Sequence, residues 1–169
     1  VGKFIYQDDQ ETPNTQIATF DYGDAELVFE VRGLNTGGEA SIAAGGPNFV
    51  GNIWLGSKGY MSPDHKGFQI FMGDKREPGE PSKPTDKGDT NEHMVNFLEA
   101  VKSRNKTDLH GEVAEGVKSA VLVHMANTSY RLGRKLAFDS KTAKYVNDAE
   151  ANAMLTRPTY REPYNPTEV

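Results

Sequence analysis

Four histidines, an acidic cluster and a glycine-rich stretch are the places where this 169-residue chain could carry chemistry. A metal site on one helix needs ligands three or four residues apart, so that they share a face. His65, His93, His110 and His124 have no such spacing. His93 reads as part of a first helical turn and His124 as part of an apolar helical face, so both are expected to be hydrogen-bonded packing residues. Asp8, Asp9 and Glu11 offer paired carboxylates for acid–base work. Pro13 close behind them marks a solvated turn instead, and no calcium-loop spacing continues the cluster. The chain has no cysteine, which excludes thiol nucleophiles, disulfides and thiolate metal sites. Nor does it contain a Gly-x-Ser-x-Gly serine elbow.

The glycines Gly33, Gly37, Gly38, Gly45 and Gly46 invite comparison with a phosphate-binding loop. A dinucleotide fingerprint is Gly-x-Gly-x-x-Gly between a strand and a helix, because the helix N-terminus receives the pyrophosphate. That spacing is absent, and Gly56-Ser-Lys-Gly59 sits between two strand-like segments. Loop geometry is the favoured reading. Arg32 is a better candidate. It ends a strand on the polar face, just before Gly33-Leu-Asn35, and a planar guanidinium beside amides suits a polyol or a carboxylated sugar. The competing reading is a sheet-surface arginine paired with Glu26 or Glu30. Trp54 and Tyr60 have faces that would stack on sugar rings, though aromatic residues in strands more often serve the core.

These side chains must be positioned by elements that the sequence writes in order. Lys3–Tyr6 and Thr15–Tyr22 read as strands, Tyr22-Gly-Asp-Ala25 as a hairpin turn, and Leu27, Phe29 and Val31 as one face of the return strand. Gly51–Met61 predicts strand, tight turn and strand. Gly67–Met72 adds another, with Phe68, Ile70 and Met72 on one face. Residues 73–89, rich in proline, glycine and charge, are expected to be an exposed connector. Thr90 caps a first helix with Met94, Phe97, Leu98 and Val101 at helical spacing. A second helix carries Val113, Val117, Ala120, Val121 and His124 on one face and stops at Gly133. Short strands over Leu136–Phe138 and Lys144–Val146 follow, then a helix from Asp148 to Leu155 and an extended tail over residues 156–169. Strands followed by helices predict a single α+β domain with a mainly antiparallel, open-faced sheet and helices packed on one side.

Composition agrees with a globular domain: 36% hydrophobic and 25% charged residues in a chain long enough for a core. A net charge of -5 argues against nucleic acid as a partner. No apolar run approaches the roughly 20 residues of a membrane span. No signal segment is visible, but the chain begins at Val1 rather than Met, so the N-terminus is not observed and cytoplasm and periplasm both stay open.

Several stretches resemble the C-terminal domain of bacterial Gfo/Idh/MocA oxidoreductases, the glucose–fructose oxidoreductase and inositol dehydrogenase group. They are Asp9-Gln-Glu-Thr-Pro-Asn-Thr-Gln16, Leu27-Val-Phe-Glu-Val-Arg-Gly33, Gly51–Met61, Asn96-Phe-Leu, Val101-Lys-Ser-Arg104, Tyr130-Arg-Leu-Gly-Arg134, Asp148-Ala-Glu-Ala-Asn152 and Arg157-Pro with its Tyr-Arg tail. The resemblance implies an N-terminal Rossmann domain, not encoded between Val1 and Val169, that binds NAD or NADP in the full-length protein. It also implies hydride transfer at a sugar or polyol hydroxyl, and homo-oligomers built through the sheet face. The family's Glu-Lys-Pro lysine and Asp/His pair have no counterpart here, so no catalytic residue carries over. By resemblance, Arg32, Asn35, Arg157, Tyr160 and Arg161 are the substrate-binding candidates.

Three functional readings follow. The first is the substrate-side and oligomerisation domain of such an enzyme, inactive alone and binding no cofactor itself. The second is a free-standing, non-catalytic module that holds a carbohydrate or a protein. The third, and least favoured, is a metal-dependent hydrolase using the histidines with Asp8 or Asp9.

Overall fold

The computed structural model describes residues 1–4, 6–33, 51–64, 67–80 and 90–163. Contacts gather the chain into two compact units, Val1–Val31 with Val113–Val169, and Arg32–Glu112. The architecture is α+β, and every strand pairing given by register is antiparallel.

In the first unit, strand β1 (Thr15–Asp21) forms a hairpin with β2 (Glu26–Arg32), whose last residue, Arg32, is counted with the second unit. Its turn is closed by the Tyr22 N–H donating to the Ala25 carbonyl at 2.9 Å. Gly23 supplies the positive φ of 89°, and its N–H donates to the Asp21 carboxylate. The strand expected over Lys3–Tyr6 reduces, among the described residues, to one bridge between Gly2 and Thr15, with Ile5 outside them. Asn14 explains why: its side chain accepts the Phe4 N–H at 3.2 Å, taking the place of a ladder bond.

Helix α2 (Val113–Leu132) ends where sequence places its stop. Gly133 has a φ of 66°, and its N–H returns to the Ser129 carbonyl. Strands β7 (Phe138–Asp139) and β8 (Lys144–Tyr145) pair across a turn pinned by Asp139, whose carboxylate accepts the Lys141 N–H and the Thr142 hydroxyl. Those bonds, the Lys141 N–H above all, hold the Asp139 carboxyl below its usual pKa. Helix α3 (Ala149–Ala153) is capped by Asp148, which accepts the Ala151 N–H at 3.0 Å. Ala151 is fully buried, and Tyr145 is 2% exposed. The first unit is centred here, with Ala126, Thr128, Asn14 and Gln16 also buried. The Gln16 amide reaches the Ala126 carbonyl, joining β1 to α2.

The second unit holds a four-stranded meander: β3 (Trp54–Gly56), β4 (Gly59–Asp64), β5 (Gly67–Met72) and β6 (Glu77–Pro78). A Cβ on Gly59 would run into the Phe71 carbonyl, which fixes glycine at this turn. Tyr60 stacks on Phe71 across the ladder, with centroids 4.7 Å apart. The connector expected over residues 73–89 is therefore not all loop: β6 pairs Phe71 with Pro78 and Met72 with Glu77. The adjacent Gly79 N–H donates to the Ile70 carbonyl, so by alternation the Pro78 nitrogen faces away from the ladder, where a missing donor costs nothing. Residues 81–89 lie outside the described residues.

Helix α1 (Thr90–Ser103) forms where its spacing predicts, but Thr90 is its first helical residue rather than its N-cap. A short 3-10 turn, Lys106–Asp108, follows. Asn96 ties the two together, donating to the Asp108 carbonyl and accepting the His110 N–H.

The apolar faces differ from expectation. Met94, Phe97, Leu98 and Val101 of α1 are exposed, Phe97 by 52%, while Ala100 is the buried residue. On α2, Val113 and Val117 are exposed and burial falls on Ala126 and Thr128. On β5, Phe68 and Met72 are exposed, and Trp54 on β3 is 63% exposed rather than in the core. Periodicity reports which residues share a face, not whether this chain supplies the cover for it.

Candidate functional site

A polar stripe on α2 borders a cleft in the first unit. His124, Asn127, Thr128 and Arg131 recur at three- and four-residue steps, so they share a helical face. They border a cleft of about 320 Å³ together with Val121, Met125, Phe138, Tyr145, Met154 and Leu155.

The far wall is held in place by local chemistry. The Asn152 amide brackets the backbone of Tyr145: its oxygen accepts the Tyr145 N–H and its nitrogen donates to the Tyr145 carbonyl, both at 2.8 Å. This copies a strand rung with a side chain. Tyr145 packs edge-on against Phe138 at 5.2 Å. Arg134 grips both oxygens of Asp148 and reaches Glu150 at 2.9 Å, so the turn after α2 is bonded to the start of α3. Its fork, helped by the Ala151 N–H, draws the Asp148 carboxyl down to a pKa of about 2. The guanidinium of Arg134 is correspondingly raised above its ordinary value by its bonds to Asp148 and then Glu150.

The near wall carries the polar side chains of α2. Arg131 donates to Glu11 at 3.3 Å, and Thr128 returns its hydroxyl to the His124 carbonyl at 2.9 Å. The Asn127 carbonyl oxygen and the Tyr145 hydroxyl are buried and lack a hydrogen-bond partner among the described residues. An imidazole, a guanidinium and an amide over an apolar floor can hold a small polar molecule. They do not assemble a nucleophile with its base.

The substrate-binding candidates are placed as follows. Arg32 is exposed at the end of β2, and Asn35 lies outside the described residues. Arg157 and Arg161 are exposed and Tyr160 is half-buried, in the tail that leaves the cleft at Leu155. Arg157, Tyr160 and Arg161 thus share the first unit, whereas Arg32 belongs to the second. His124 is exposed rather than packed, as is His93, which corrects the expectation for both. The spacing of His124, Asn127, Thr128 and Arg131 was the available signal for the cleft, and its polar character was masked by the valines around it.

The other sites weighed from sequence take their places too. Asp8 pairs with Lys3 at 3.0 Å and Glu11 with Arg131, so the acidic cluster is drawn into separate ion pairs. Among the described residues, no three histidine or acidic side chains converge to hold a metal ion, and His65 lies outside them. The Gly56–Gly59 turn joins two antiparallel strands with no helix N-terminus behind it, so it does not fit a dinucleotide. Among the described residues, no helix is long and apolar enough to cross a membrane.

Comparison with known proteins gives one family. Neither the curated proteins nor the solved structures contain a match. Residues 57–166 match the oxidoreductase family, C-terminal alpha/beta domain, of the Gfo/Idh/MocA type. That span takes in the meander from its first turn, both long helices, the β7–β8 hairpin and α3, and it agrees with the antiparallel α+β architecture. The chain therefore belongs to the Gfo/Idh/MocA oxidoreductase family, as a C-terminal α/β domain.

Proposed function

We propose that this chain is the substrate-binding and oligomerisation domain of an NAD(P)-dependent oxidoreductase acting on sugar or polyol hydroxyls, and that it is not catalytic alone. The family match over residues 57–166 carries this reading. Two further features support it. In this reading the nicotinamide that accepts or gives hydride is held by a separate Rossmann domain, and the chain itself has no Gly-x-Gly-x-x-Gly sequence. Broad apolar faces on β2 and α1 are exposed, as expected of a domain completed by neighbours.

In this reading the residues of the chain orient substrate and exclude water. Arg157 and Arg161 supply forked donors for vicinal hydroxyls or a carboxylate, and Tyr160 supplies a flat face with a polar tip.

Titration of the isolated chain with NAD and with NADP is the direct test. No binding is expected at micromolar concentrations; micromolar affinity for either would overturn the reading. In the protein carrying its Rossmann domain, Arg157→Ala and Arg161→Ala should raise KM for the sugar by about 10- to 100-fold while leaving cofactor affinity unchanged. An unchanged KM for both variants removes the tail from the substrate site.

A further inference from the structure

The cleft beside α2 is lined by two residues with polar atoms that the fold leaves unanswered. Tyr145 is 2% exposed, yet its hydroxyl has no hydrogen-bond partner among the described residues, and neither has the buried Asn127 carbonyl oxygen. Buried polar groups without partners are costly and few, so each calls for a physical explanation. Loose packing does not supply one for Tyr145. The Asn152 amide takes both its backbone N–H and its carbonyl, and Phe138 meets its ring edge-on. A rigidly held ring with an orphan hydroxyl is suited to receive a molecule from outside the fold.

The lining says what kind of molecule. Val121, Met125, Phe138, Met154 and Leu155 make half of it apolar, which asks for an apolar body, and the two aromatic rings suit a flat one. Met125 and Met154 have unbranched side chains that re-pack easily and can shift to bring a ligand within reach of the inner atoms. His124 and Arg131 are exposed, so they stand at the mouth. Arg131 is paired with Glu11 at 3.3 Å, with the two side chains 41% and 81% exposed. A pair this exposed exchanges partners at little cost, so a carboxylate can take the guanidinium fork in place of Glu11. Inside, a hydroxyl is the group that can accept from Tyr145 and donate to Asn127. A volume of about 320 Å³ suits a small ligand.

We propose that this cleft binds a small aromatic hydroxy acid, with its carboxylate on Arg131 and His124 and its hydroxyl accepting from Tyr145 and donating to Asn127. The site lies within the first unit and shares no residue with the arginines of the tail. It therefore stands apart from the sugar-binding reading.

4-Hydroxyphenylacetate is the probe, titrated into the chain by calorimetry and followed by amide NMR. Saturable binding is expected, with shifts along α2 and at Tyr145. Arg131→Gln should weaken it about tenfold and Tyr145→Phe about fivefold, whereas Glu11→Gln, which releases Arg131, should tighten it about twofold. Phenylacetate, lacking the hydroxyl, should bind wild type about fivefold more weakly and the Tyr145→Phe variant no more weakly than wild type. Without ligand, Tyr145→Phe should keep the denaturation midpoint of the wild type, because the hydroxyl it removes has no partner in the fold. A lower midpoint overturns the proposal, since the hydroxyl then already serves the fold. So does the absence of saturation at millimolar probe, or equal affinity for phenylacetate. Gluconate binding that is lost in Arg131→Gln also overturns it, and returns the cleft to the sugar site. The outcome of the NAD and NADP titrations moves none of these readouts.

Discussion

The knot formed by residues 134–155 and the hairpin of β1 and β2 solve the same problem in opposite ways. The knot is short and nearly self-sufficient: it buries Tyr145 and Ala151, caps α3 with Asp148 and closes β8 with the Asn152 amide. Each bond links residues fewer than twenty positions apart, so the chain pays little entropy to make them. The hairpin has a well-made turn but leaves its second strand uncovered. Local order and completed burial are therefore separate achievements. A region can have the first and wait for the second.

That difference can be broken at the knot. Ala151→Leu forces a larger side chain into a fully buried position, and a loss of about 3 kcal/mol is expected from overpacking, read by chemical denaturation. Asn152→Ala removes two bonds to the Tyr145 backbone and should lose about 2 kcal/mol. Its signature is faster amide exchange at Tyr145, while the Tyr22–Ala25 turn is unchanged.

Acid should loosen the knot selectively. The Asp148 carboxyl is lowered from 3.8 to about 2 in the folded chain. A depressed folded value means that the contribution is complete above the unfolded value and is lost as pH falls through the folded one. Carboxyl NMR should accordingly show Asp148 titrating near pH 2, with α3 amides shifting alongside, and Arg134→Ala should return it towards the ordinary range. At the hairpin, by contrast, Val28→Thr should change unfolding free energy by less than about 0.5 kcal/mol, because the site is exposed. A large loss there would mean that β2 is already covered.

Much of the fold was legible in the sequence, and the reasons are local. Gly133 and Asp148 mark helix ends, Gly23 marks the hairpin and Gly59 the tight turn, because each residue type answers a backbone requirement at its own position. β6 was hidden because Pro78 reads as a loop signal, although an edge strand accepts it. The exposure of Phe97, Val113 and Trp54 was hidden for a different reason: a hydrophobic face declares that it will be covered without saying by what. The cleft was hidden by composition. His124 and Arg131 stand among valines and methionine, and only their spacing along α2 joins them to Tyr145 and Leu155, which arrive from distant sequence. The family resemblance was readable in short motifs spread across the chain, and it is the part that comparison supports most directly.

Pro78 leaves the meander with a direction. Its ring nitrogen points outward from β6 and brings no hydrogen to a newcomer, so the sheet is closed to further strands at that position. Any strand laid against β6 would therefore go without the one ladder bond that every residue but proline could donate at position 78.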